Sequence, residues 1–116
     1  MVLITDGGFT KFRSLNDDTS GHSDNILVMN HDDGNVGIGV TPDSTQKDDW
    51  VTLSIGENTY ISGETTDSAG RNTIFANNAY LNNSSQWIYR ITASEEASRI
   101  GMQNGNITFD NASAGS

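Results

Sequence analysis

The chain has 116 residues, no cysteine and a formal net charge of −9, which excludes a disulfide framework and thiolate chemistry. Nucleic acid and anionic membrane surfaces are not expected partners, because both select a basic face. Hydrophobic residues are only 34%, below the roughly 45–50% of a globular domain, although that range also counts glycine.

Small cores are marginal at this length, so the shortage points to disorder or to oligomerisation. Disorder fits poorly, because the apolar residues alternate in runs and include two Trp, three Tyr and four Phe. Several copies sharing one core is the better account. No apolar run approaches the ~18–20 residues that span a bilayer, so no membrane insertion is expected. Met1–Asp6 is too short an apolar run for a secretory leader.

In chain order, Val2–Thr5 is a short β-type run closed by Asp6-Gly7-Gly8, with Phe9–Phe12 as its return strand. Leu15–Asn25 is polar and reads as a loop. Ile26–Met29 is a continuous apolar strand, and His31–Asn35 turns it. In Gly34–Pro42, Val36, Ile38 and Val40 alternate with Gly37 and Gly39. Period two places the branched residues on one face and bare backbone on the other. Paired glycines in a strand predict a close approach, here expected from neighbouring copies of the chain. Residues 43–49 are a charged connector.

Trp50–Ile55 alternates, Gly56-Glu57-Asn58 turns it, and Thr59–Ser62 answers. Gly63–Gly70 is polar loop and Arg71–Ala76 a strand. Trp87, Tyr89 and Ile91 share one face of the next strand. Thr92–Ala97 has helix propensity but is too short to nucleate a helix. Asn104-Gly105, between Arg99–Gln103 and Asn106–Asp110, predicts a two-residue type I′ hairpin, since both turn positions need positive φ. The predicted fold class is all-β, built of short antiparallel strands and hairpins. Its divisions are 1–42 (a hairpin segment ending in the glycine-alternating strand), the connector 43–49, a β-rich module 50–110 and linker-like 111–116. That last composition suggests a piece of something longer. Apolar runs closed by Asp-Gly-Gly and by Asp-Asp-Gly-Asn form a weak internal echo.

Chemistry has few footholds. His22 and His31 lie in a loop and a turn, where solvated imidazoles are the default, and no metal is expected. The pairs Asp17-Asp18, Asp32-Asp33 and Asp48-Asp49 lack the spaced ligands of a calcium loop. Glu57, Glu64, Asp67, Glu95 and Glu96 are the carboxylates available for glycan hydrolysis, but all lie in polar connectors. There is no Gly-x-Ser-x-Gly elbow, and Gly37-x-Gly39 lacks the rest of a dinucleotide fingerprint. The chain is not expected to be an enzyme or to hold a cofactor. Asn77, Asn78, Tyr80, Asn82, Asn83 and Trp87 are the candidate ligand-binding residues: aromatic faces stack on sugar rings and amides bond to hydroxyls. Alternation favours the competing reading, in which Tyr80, Trp87 and Tyr89 are core.

The phrase Asp33-Gly-Asn-Val-Gly-Ile-Gly-Val-Thr-Pro42 resembles one that recurs between β-rich modules of bacteriophage tail fibres. Val40 stands where that phrase usually has Thr. Asn78-Ala79-Tyr80 followed by Trp87-Ile88-Tyr89 is similar to the module that follows it, and Met1–Gly8 looks like the end of a preceding module. The resemblance implies an elongated parallel homotrimer located in the virion tail fibre, outside the cell. It also implies contacts to other virion tail proteins and to a bacterial surface glycan or protein. A fragment of a polysaccharide-depolymerising tailspike and a bacterial adhesin module are the alternatives.

Overall fold

The computed structural model describes residues 2–15, 22–43, 45–66, 72–90 and 95–114. Asp17-Asp18, Asp67 and residues 92–94 of the short helix-prone stretch at 92–97 lie outside them. The described chain is all-β and mostly antiparallel, with extents of 50 × 36 × 22 Å.

The first seven strands are β1 (Val2–Asp6), β2 (Phe9–Leu15), β3 (His22–Asn30), β4 (Val36–Ile38), β5 (Trp50–Ile55), β6 (Thr59–Glu64) and β7 (Asn72–Asn77). They lie side by side in chain order, and β10 (Ala97–Gln103) and β11 (Asn106–Ala112) complete a nine-stranded sheet. The remaining strands, β8 (Ala79–Leu81) and β9 (Trp87–Tyr89), form a separate hairpin. Among the described strands only β4 and β5 pair in parallel, so the sheet continues from the strand before the 43–49 segment to the strand after it.

Local chemistry sets the turns. Gly7 and Gly8 have φ of 54° and 82°, and Asn104 and Gly105 have 52° and 79°. Both are two-residue loops with positive φ at each position, as a type I′ hairpin requires. Strand β3 begins at His22, earlier than the apolar run alone predicts, and pairs with β2. Strand β4 stops at Ile38. Gly39 then takes φ 72°, and the chain folds back so that a Cβ on Gly37 would sit 2.1 Å from the Val40 carbonyl oxygen. The close approach expected at this glycine is therefore made by the chain's own backbone, not by a neighbouring copy. Val40 belongs to that return and not to the strand face shared by Val36 and Ile38.

Strand register divides the sheet into two unlike faces. The covered face carries Trp50, Tyr60, Ile74 and Ala76, with Leu81 of β8 packed on them. Val28 is fully buried on the same face, where its register partner is Gly37, the residue beneath the 39–42 return. Across the opposite face, one row of register partners reads Met29, Val36, Leu53, Ile61, Phe75, Ile100 and Phe109. A second row reads Leu3, Phe12, Leu27, Ile38 and Ile55. Nothing among the described residues lies over these rows, and Phe75, Ile100 and Phe109 are 43%, 38% and 75% exposed.

Candidate functional site

The stretch from Asn77 to Trp87 leaves the large sheet and lays the β8–β9 hairpin on its covered face. Asn78 makes that turn possible. It takes φ 55°, which asparagine tolerates better than most side-chain-bearing residues, and it is fully buried. Its backbone N–H donates to the Asn58 carbonyl at 2.7 Å and its carbonyl accepts from the Arg90 N–H at 3.2 Å. Its side-chain amide donates to the Glu95 and Glu96 carbonyls at 3.3 and 3.2 Å. One residue thus ties the entry of the hairpin to its exit and to the start of β10.

The hairpin tip is held from inside and from below. Asn82 Oδ1 accepts from the Ser84 and Gln86 backbone N–H groups at 3.0 and 2.9 Å, an Asx-type turn. Asn83 clamps Asp48 of the connector, accepting from its backbone N–H at 2.7 Å and donating to its carboxylate at 2.9 Å. The Tyr80 hydroxyl accepts from Thr45 Oγ1 at 3.1 Å, and its ring stands 6.1 Å from that of Tyr60. Asn77 pairs with Thr59 and Ser98, whose register positions are on the open face. Five of the six residues that composition groups together are thus divided between a buried hinge, a braced tip and the far side of the sheet.

Trp87 remains as the partly exposed aromatic of the group, at 36%. The Arg99 guanidinium lies 4.2 Å from its ring centroid, and Arg99 Nε donates to Asp110 Oδ2 at 2.8 Å. Cation–π attraction and the ion pair together fix the guanidinium plane over the indole. Hollows of about 220 Å³ and 630 Å³ lie to either side, and Trp87 and Arg99 border both. The smaller is floored by Ala79, Ala97 and Ala112 and walled by Trp87 and Tyr89. Arg99 and Asp110 escaped notice as site residues, yet the Asn104-Gly105 turn fixes their pairing: counting outward from a two-residue loop sets residue 99 opposite residue 110.

Electrostatics brace the same region. Arg90 donates to Asp43 at 3.2 Å and to Glu57 at 3.3 Å. The Tyr60 hydroxyl donates to the Glu57 carbonyl at 3.0 Å. Burial, chiefly, pushes the Tyr60 phenol above its ordinary value of 10.0. His31 Nε2 lies 2.6 Å from Thr10 Oγ1. Among the described residues, no three His, Cys, Asp or Glu side chains gather as a metal site would require. The arrangement offers an aromatic face, a cation over it, a small apolar hollow and a larger one of mixed lining that includes Asn72, Gln103 and Asn106, which are means of contact.

Comparison with family models, with curated proteins and with solved structures finds no match.

Proposed function

We propose that this chain is a structural and adhesive module of a bacteriophage tail fibre, working as an elongated homotrimer in the virion, outside the cell. The observation that carries the reading is how little interior one copy owns. Among the described residues its main buried apolar cluster is Trp50, Tyr60, Ile74 and Ala76 with Leu81 beside them, under the β8–β9 hairpin, and Val28, Ala79 and Ala97 are buried as well. Such a layer is thin support for nine strands in an isolated chain. The Asp33–Pro42 phrase, which resembles the inter-module phrase of tail fibres, supports the same conclusion.

In this reading the mechanism is mechanical and multivalent. Three parallel copies present three Trp87 hollows, and weak contacts to a bacterial surface glycan or protein add through effective concentration. Other tail proteins flank the module. The decisive experiment is light-scattering mass of the isolated chain at micromolar concentration. Three copies support the reading, and a cooperatively melting single-copy species overturns it.

A further inference from the structure

We infer that the uncharged face of the nine-stranded sheet is the surface on which identical copies of this chain dock, and that its two apolar rows become the shared interior. The inference rests on the oligomeric reading above and names the surface that serves it.

Three observations select a like copy as the occupant. The first is charge. The chain carries a net −9, yet Lys11, Glu64, Arg99 and Asp110 all take register positions on the opposite, covered face. Among the described residues the open face has no charged register position. Two such faces therefore meet without like-charge repulsion, whereas an anionic glycan or a charged partner finds nothing to pair with.

The second is extent. Nine strands at about 4.8 Å spacing, with two to three outward residues along each, give a face on the order of 700 Å². That approaches the roughly 800 Å² per partner of a standard stable interface.

The third is the edge. In β11, counting from the two-residue loop makes Asn106, Thr108, Asp110 and Ala112 the residues hydrogen-bonded to β10. Ile107 and Phe109 consequently point their backbone groups away from the sheet, and their side chains are 62% and 75% exposed. The strand carries no proline or lysine of the kind that blunts an open edge. Unpaired backbone and unburied side chain thus coincide where a further copy would complete both.

The absence of cysteine makes the test clean. Phe109→Cys places one thiol on the open face, and Gln103→Cys places one on the covered face at an exposed position. In the assembled protein, maleimide labelling of Phe109→Cys is expected to be at least about tenfold slower than that of Gln103→Cys, with equal rates in urea. Phe109→Asp should weaken association by at least about a hundredfold and shift the mass toward one copy, while Gln103→Asp leaves it unchanged. Phe109 is so exposed in the single chain that its loss spares the fold, which far-UV circular dichroism verifies. Equal labelling of the two thiols in an intact trimer would overturn the docking face and leave the oligomeric reading standing. A wild-type single-copy mass would overturn both. Capture of single-copy protein by phosphatidylcholine vesicles would assign the face to lipid, and would equally sink the inference.

Discussion

Single atoms decide the two central glycines, and for different reasons. At Gly37 the limit is space: an added Cβ meets the Val40 carbonyl oxygen at 2.1 Å and the Val40 carbonyl carbon at 3.1 Å. At Gly39 there is room, but φ is +72°. Gly37→Ala is therefore expected to cost about 1–3 kcal/mol through forced displacement of the return. Gly39→Asn, which tolerates the left-handed region, should cost less than about 1 kcal/mol. Urea midpoints of the two variants separate steric from conformational demand, and equal losses would refute the distinction. Tyr60 supplies a pH dependence. Its folded phenol, raised by burial, holds its proton more tightly than the unfolded chain does. Stability is then complete below pH 10 and drains as pH rises through the folded value. Urea midpoints between pH 8 and 11 should fall for the wild type, and the fall should be shallower for Tyr60→Phe. That variant also loses the bond to the Glu57 carbonyl, worth about 1 kcal/mol.

Between elements, asparagine side chains replace missing backbone partners. Asn35 is 2% exposed, and its Oδ1 accepts from the Thr52 N–H at 2.7 Å, coupling the start of β4 to β5. Asn35→Ala leaves that buried donor unpaired and is expected to cost about 1–3 kcal/mol; amide exchange at Thr52 should accelerate with it. Asn35 belongs to the phrase that drew attention in the sequence, though its coupling role does not follow from the phrase. What the sequence made legible was local. Glycine and asparagine doublets announced the Gly7-Gly8 and Asn104-Gly105 turns, and alternation announced Trp50–Ile55. What stayed hidden depends on distant partners. The polar start of β3 is a strand because β2 pairs with it, and the parallel β4–β5 pair requires a connector to cross the sheet. Asn78 is a buried hinge because three separate segments converge on it. Composition grouped it with Asn82 and Trp87, and nothing in the spacing told hinge from tip. Trp87 illustrates the same limit: its position was readable, but Arg99 over its ring required the register of two other strands.

At the scale of the whole molecule, the proposed association should add to the stability of the folded chain. In the proposed trimer the open face gains its apolar burial from partner copies, and apparent stability should then rise with concentration by mass action. The melting midpoint is accordingly expected to climb on tenfold concentration, where an independent monomer would show none of this. Ile38→Asp tests the coupling from the residue side. Ile38 is 43% exposed on the open face, between Leu27 and Ile55, so one chain alone tolerates the carboxylate with little loss of packing. In the proposed trimer the same substitution carries three carboxylates into one low-dielectric interior, where each lacks a partner. The variant should therefore sediment as a single copy at neutral pH. Lowering the pH below the ordinary carboxylate range near 4 should restore part of the assembly, since protonation removes the charge that opposes it. The pH dependence separates charge from shape: a merely steric defect would persist in acid, whereas native mass at both pH values would place Ile38 outside the shared interior.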